Sequence, residues 1–247
     1  PIPQTIDDVG SRFVFFATAK STVKQVALEQ CSNIRSNGLI AIGLEDNDRL
    51  VSVRITTGNQ HVMVFSASGK AIRFDENDVR SMGRTARGVR GMRIEDNDAI
   101  KSLVVIEDDD EELLIACENG FGKRTVVSEF NAQNRGGGGV IAIKTSVRNG
   151  NLVRATKVHE DDDIILISNK ATLVRTPVKD VAQAGRNTQG VTLIRLTGEE
   201  KLVAMARVEC DDEDDMELSE ALQADGLLTD SHSTADDDVN DANNSQQ

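Results

Sequence analysis

Basic, glycine-rich segments are the part of this sequence whose residue types could carry chemistry. Four of them occur, at residues 34–38, 83–88, 134–139 and 185–190. Glycine lets backbone N–H groups approach a partner closely, and the guanidinium of arginine offers a planar fork of donors that matches a phosphate group. The segments therefore predict contacts with a phosphate-bearing partner.

A second set of cations closes a short pattern that recurs along the chain, at residues 16–24, 65–73, 116–124 and 167–175. Each copy ends in a basic residue, so we expect equivalent charges along one rim of the folded chain. A curved strip of phosphate contacts fits that geometry best. The residues predicted to contact phosphate are Lys24, Arg35, Lys70, Arg73, Arg84, Arg87, Arg90, Lys123, Arg124, Arg135, Lys170, Arg175 and Arg186.

Backbone contact with duplex DNA, including bending of the duplex, fits these charges better than the reading of bases. Only 3% of the residues are aromatic, which is too few for stacking on single strands, and no recognition helix is evident. For any single arginine, an ordinary solvated charge on a turn is the better explanation, and only the repetition in four copies favours phosphate.

The elements that position these charges repeat about every 50 residues. The short pattern returns after 49, 51 and 51 residues, and glycines that each open an apolar-alternating stretch keep the same phase: Gly38, Gly88, Gly139 and Gly190. Two landmarks with one period across four copies indicate a repeat architecture.

Within one repeat the apolar period is two, which indicates strands. Residues 61–66 and 71–74 flank a Ser-Gly turn and predict a hairpin, and residues 89–94 and 99–106 predict two further strands. Such four-stranded units must stack around an axis to bury both faces. The fold class is therefore all-β, a propeller-like domain with four full repeats.

The domain limits follow from composition and spacing. Residues 1–11 are read as a remnant of a preceding blade or a linker, and residues 12–208 as the folded domain. The predicted repeats are 12–60, 61–111, 112–162 and 163–208. Residues 209–247 contain fourteen acidic and no basic residues, and we predict a disordered acidic tail. Without the tail, the 28 basic residues of the chain face 27 acidic ones, so the domain itself is nearly neutral.

No catalytic constellation is evident. The chain has no tyrosine, its three cysteines and three histidines show no metal-ligand spacing, and residues 120–123 lack the spacing of a nucleotide-binding loop. We expect no catalytic residue, metal or cofactor in this chain. It has no apolar run of membrane-spanning length and no signal peptide pattern, so we expect an intracellular protein without membrane contact.

Residues 119–125, 185–191 and 85–93, together with the acidic tail, resemble the C-terminal domain of bacterial DNA gyrase A. The resemblance implies a β-pinwheel, in which neighbouring blades exchange strands and duplex DNA wraps around the outer rim. It also implies a parent type II topoisomerase that introduces negative supercoils with ATP and Mg²⁺ bound elsewhere. The implied partners are gyrase B and a second copy of gyrase A in a heterotetramer, in the cytoplasm and at the nucleoid, with the isolated domain a monomer.

One departure from the family pattern concerns its heptad QRRGGKG. Residues 133–139 agree with it at five of seven positions but lie in the third repeat, whereas the family heptad lies in the first blade. We read them as a repeat equivalent, and expect the first blade upstream of this chain. The equivalent domain of topoisomerase IV, or a protein-interaction propeller with a basic rim, are the alternatives.

Overall fold

The described part of the chain forms one compact unit that ends at Glu209. A computed structural model describes residues 12–32 and 38–209. The predicted remnant at residues 1–11, the acidic tail after Glu209 and the predicted contact residue Arg35 therefore lie outside the described residues.

Strands make up nearly all the regular structure. Short 3-10 turns follow the hairpins at Leu28–Cys31, Glu76–Asp78, Val127–Glu129 and Val178–Asp180. No helix within the described ranges is long and apolar enough to cross a membrane. The strands are β1 (Phe13–Thr18), β2 (Thr22–Ala27), β3 (Leu50–Thr56), β4 (His61–Ser66), β5 (Lys70–Asp75), β6 (Val89–Arg90), β7 (Ile100–Ile106), β8 (Glu112–Cys117), β9 (Phe121–Val126), β10 (Val140–Ile141), β11 (Leu152–Val158), β12 (Asp163–Ser168), β13 (Leu173–Pro177), β14 (Val191–Thr192) and β15 (Leu202–Val208).

The strands form four antiparallel sheets, which confirms the all-β repeat architecture. The strand orders are β3-β1-β2-β6, β10-β5-β4-β7, β11-β8-β9-β14 and β13-β12-β15. Within the described ranges the first three sheets have four strands and the last has three. Each four-stranded sheet takes its last strand from the following repeat: β6 joins β2, β10 joins β5, and β14 joins β9. Neighbouring repeats are thus joined by strand exchange.

The two edges of each sheet have different surroundings. At one edge β3, β7, β11 and β15 pack against one another in that order, and we call them the inner strands. At the opposite edge lie the exchanged strands β6, β10 and β14, which we call the outer strands. Because every exchanged strand follows a glycine-rich segment, these segments also lie on the outer side.

The core lies between successive sheets, because both faces of each hairpin are apolar. Phe15 and Val23 of the first sheet pack with Val62, Val64 and Phe74 of the second. Similar clusters join the second sheet to the third and the third to the fourth. Two-sided burial explains why the apolar runs of β4 and β8 are nearly continuous rather than strictly alternating.

Glycine is required where each exchanged segment meets the preceding hairpin. Gly139 has a φ of +68°, and a Cβ there would lie 2.5 Å from the carbonyl oxygen of Ala71. Gly88 and Gly190 are equally close to Val23 and Gly122. These glycines thus allow close contact with the backbone of the preceding hairpin, where the sequence had predicted close contact with phosphate.

The third strand of the repeat is shorter than the sequence predicted, ending at Arg90 rather than Ile94. After Arg90 the backbone leaves the ladder with β2. The amide of Gly91 donates to the carbonyl of Ser21, and the amide of Arg93 donates to the carbonyl of Gly137 in the next repeat. The segment therefore serves as a joint between three repeats.

Candidate nucleic-acid interface

The predicted contact residues occupy three different environments. Five are exposed: Lys70, Arg87, Arg90, Lys170 and Arg175. Five are half-buried: Arg73, Arg84, Arg124, Arg135 and Arg186. Two are buried: Lys24 and Lys123. The structure therefore brings only part of the predicted set to the surface.

The expected equivalence of Lys24 with Arg73, Arg124 and Arg175 is wrong for Lys24. In the hairpin registers, Arg73 lies opposite Met63 and Arg124 opposite Leu114, and the residue at that place in the first repeat is Gln25, opposite Phe15. The cause is the first spacing, which is 48 residues between the hairpin starts Phe13 and His61.

Arg73 and Arg124 join one repeat to the next. The Nη1 of Arg124 donates to Glu112 at 2.8 Å and its Nε donates to the carbonyl of Val181 at 2.7 Å. Arg73 donates to the Nδ1 of His61, to the carboxylate of Asp109 and to the carbonyl of Phe130 in the next repeat, and its backbone bridges Ala132. With donors committed to carboxylates and carbonyls, these guanidinium groups have a structural role. We call them the clasp arginines.

Lys24 and Lys123 do not lie on a charged rim, contrary to prediction. The Nζ of Lys123 donates to the carbonyls of Gly185 and Arg186, at 2.5 and 2.7 Å. The Nζ of Lys24 donates to Ala41 and Arg84 in the same way. Burial lowers the pKa of Lys24, and it lowers the pKa of Lys123 to about 8. Both ammonium groups hold loop carbonyls and are not available to a partner in solvent.

The arginines of the third and fourth glycine-rich segments, Arg135 and Arg186, are also engaged. The Nε of Arg135 donates to the carbonyl of Asp78 at 2.8 Å and its Nη1 to that of Arg90 at 3.2 Å. Arg186 occupies the same place one repeat later, where it donates to Ile141 and lies over the ring of Phe130. These arginines therefore hold the outer strand of the preceding repeat in place.

A set of exposed cations remains on the exchanged segments. Arg93, Lys144 and Arg195 follow the outer strands at a constant spacing of 51 residues, and all three are exposed. The sequence analysis did not select them, although the same period would have found them. With Arg87 and Arg90 they form the set that we call the outer cations: Arg87, Arg90, Arg93, Lys144 and Arg195.

The outer cations lie beside the glycine-rich segment of the following repeat. The amide of Arg93 donates to the carbonyl of Gly137, and the amide of Lys144 donates to that of Thr188. Their side chains have no carboxylate partner among the residues that the structure describes. Lys70, opposite Ile141 of an outer strand, adds one more charge on this side. Unpaired cations repeated along one edge suit an extended polyanion.

Fold and charge together define a propeller-like repeat domain with strand exchange and a basic outer edge. The family model described as "DNA gyrase C-terminal domain, beta-propeller" matches residues 12–57, 60–107, 111–159 and 162–209. The chain belongs to this family.

Curated relatives and solved structures agree with that assignment. The chain is 49% identical to the DNA gyrase A protein of Pseudomonas aeruginosa over 90% of its length, and 44% identical to that of Escherichia coli over 86%. It spans about a quarter of these relatives, 24% in both cases.

Two solved structures have similar folds. A DNA gyrase A C-terminal domain has a TM-score of 0.73 and 28% identity, covering 83% of this chain and 68% of that one. A C-terminal domain of DNA topoisomerase IV has a TM-score of 0.79 and 25% identity, covering 90% of this chain and 69% of that one. The sequence identities to the curated gyrase A proteins favour gyrase over topoisomerase IV.

Proposed function

We propose that this chain is a non-catalytic module that binds and bends duplex DNA along its outer edge. The observation that carries the proposal is the repeated exposure of Arg93, Lys144 and Arg195, each without a described carboxylate partner. Cations at one position of successive repeats would meet successive phosphates of a duplex that curves around the outer strands.

The module would act within a larger enzyme. Membership of the gyrase family supports a parent ATP-dependent type II topoisomerase that introduces negative supercoils, with gyrase B and a second copy of gyrase A as partners. We place ATP and Mg²⁺ in the other parts of that complex, and the complex in the cytoplasm at the nucleoid. This chain would supply the curved path of the DNA.

The experiment is binding and bending in one assay. A duplex of roughly 40 base pairs, several-fold shorter than the ~150 base-pair persistence length, carries a fluorophore at each end. With the 247-residue chain at low salt, we expect saturable binding and a rise in energy transfer as the ends approach. Binding without that rise would contradict wrapping by this chain, and absence of binding would favour the protein-interaction propeller.

The acidic tail is proposed to weaken this binding. Fourteen carboxylates tethered to the domain raise the local concentration of a competitor for the outer cations. A chain that ends at Val208 should bind the same duplex more tightly at low salt, and the difference should shrink as salt screens the charges. Equal affinities at low salt would reject a regulatory tail and leave a passive one.

A further inference from the structure

The inner strands carry a second group of cations, at the edge of each sheet opposite the outer cations. Arg54 of β3, Lys101 of β7 and Arg154 of β11 line one cavity of about 210 Å³. Its other lining residues are apolar or serine: Val51, Ser52, Val53, Ser102, Leu103 and Ala155. No carboxylate lines this cavity within the described part of the chain.

The backbone around the cavity is fixed by bonds between repeats. The amide of Ala155 in β11 donates to the Oγ of Ser102 in β7 at 2.9 Å. Lys101 and Arg154 are the chain neighbours of these two residues, so the bond sets the distance between their strands. Ser102 is only 5% exposed and lines the cavity, and its hydroxyl keeps one donor proton besides the bond that it accepts.

Shifts in the pairing register of β7 and β11 change the direction of the side chains around this cavity. The pairing register of β7 shifts between Ile100 and Ser102, and that of β11 shifts between Leu152 and Arg154. Such bulges bend a strand and redirect one side chain. Arg154 also stands where the first two repeats have Ser52 and Ser102, since these three residues lie opposite Ala116, Ala17 and Phe65.

Among the residues that the structure describes, the three cations lack the carboxylate partners that neutralise other cations of the inner strands. Further along β11, Lys157 pairs with Glu111 at 2.7 Å, and Arg207 of β15 pairs with Asp162 at 2.6 Å. Arg54 has only the carbonyl of Val53 as a described partner, at 2.8 Å. Arg54 is an exposed residue, yet partial desolvation lowers the pKa of its guanidinium, and the nearby Arg154 cation lowers it further. The guanidinium groups of Arg54 and Arg154 are therefore close together, and neither has an ion-pair partner among the described residues.

We infer that this inner cavity binds a small phosphate oxyanion between Arg54, Lys101 and Arg154. The cavity has room for a phosphate or pyrophosphate with some water, and it is far too small for a duplex. Two guanidinium forks and an ammonium match phosphate oxygens, and the anion removes the repulsion between the cations. The inference goes beyond the proposed DNA binding and does not depend on it.

The test is titration of the 247-residue chain with sodium pyrophosphate by calorimetry, against sodium chloride at matched ionic strength. We compare the wild type, the inner variant Arg54→Gln/Arg154→Gln and a charge-matched control, Arg93→Gln/Lys144→Gln. Saturable binding to the wild type and the control, weakened at least about tenfold in the inner variant, is the expected result. Pyrophosphate at ten times Kd should also raise Tm by roughly 3 to 6 °C in the wild type and the control, but not in the inner variant.

Equal heats in all three proteins would indicate a general ionic effect and would overturn the inference. Absence of binding to the wild type would also overturn it. If the inner variant does not fold, Lys101→Gln replaces it and is expected to weaken pyrophosphate binding several-fold. Unchanged affinity in Lys101→Gln would again contradict the site. Neither inner variant should alter DNA bending, so failure here is distinguishable from failure of the DNA proposal.

Discussion

Two sets of basic residues recur with nearly the same period, yet they have opposite environments. The clasp arginines Arg73 and Arg124 lie on the second strand of a hairpin, with side chains only 10% and 12% exposed and bonded to carboxylates. Arg93, Lys144 and Arg195 lie on the exchanged segments, exposed and without a described carboxylate partner. The place of a cation within the repeat, together with the contacts made by the following repeat, therefore decides whether the cation holds repeats together or faces solvent.

Strand exchange brings each glycine-rich segment against the preceding hairpin. Substitutions at this contact should lower the free energy of unfolding more than any others considered. Gly139→Ala places a Cβ 2.5 Å from the carbonyl oxygen of Ala71, at a φ of +68°. We expect a loss of about 3–4 kcal/mol in the free energy of unfolding, measured by urea denaturation.

Gly38→Ala is the matched control for that substitution. Gly38 has a similar φ of +77°, but a Cβ there meets no atom of the described residues within 4 Å. Its loss should be about 1 kcal/mol, from the backbone conformation alone. Equal losses at the two positions would mean that close approach to the hairpin is unimportant.

Loss of a clasp arginine should have the next largest effect on the free energy of unfolding. Arg124→Met removes the partner of Glu112, which is 20% exposed, and leaves the carbonyl of Val181 without its donor. We expect a loss of about 2–4 kcal/mol. Arg175→Met, at the same place in the last repeat, removes an ion pair to Asp163 from a side chain that is 63% exposed, and should cost about 0–1 kcal/mol. If the two variants had the same urea midpoint, the distinction between a clasp arginine and a surface arginine would be wrong.

Much of this architecture could be predicted from the sequence, because its cause is local. Period-two runs and the Ser-Gly turn predicted the hairpin His61–Ser66 and Lys70–Asp75 almost to the residue. Strand exchange follows from no local signal, since Val89 pairs with Val23 in another repeat, and it entered only through the family resemblance.

The environment of each cation was harder to predict than the strands. Lys123 and Lys144 are both lysines in the third repeat, but only the first meets carbonyls of a segment about 60 residues away. The first spacing between repeats is also one residue shorter than the sequence pattern suggested. Gln25, and not Lys24, is therefore the residue equivalent to Arg73. Burial of a charge depends on tertiary neighbours, which spacing alone does not specify.

Burial of Lys123 should appear in the pH dependence of stability. Its folded pKa is lowered to about 8, while an unfolded lysine titrates near 10.4. Between these values the unfolded chain binds the proton that the folded chain has released, so stability should rise with pH through this window. The gain is about 3 kcal/mol at most.

Lys123→Met removes this titration. We expect its free energy of unfolding to gain less than that of the wild type between about pH 8 and 10.5, in parallel urea titrations. Lys144→Met is the control for loss of one lysine. Identical pH profiles in wild type and Lys123→Met would show that Lys123 is not held charged in a buried position.

The most direct test of the central claim is the salt dependence of DNA affinity. The outer variant Arg93→Gln/Lys144→Gln/Arg195→Gln is compared with the wild type and with Arg54→Gln/Lys101→Gln/Arg154→Gln, which removes the same charge from the inner strands. The slope of log K against log salt should become shallower by about 2 to 3 in the outer variant, at about 0.9 per phosphate contact. It should be unchanged in the inner variant. Equal losses of slope in the two variants would contradict a DNA path along the outer edge.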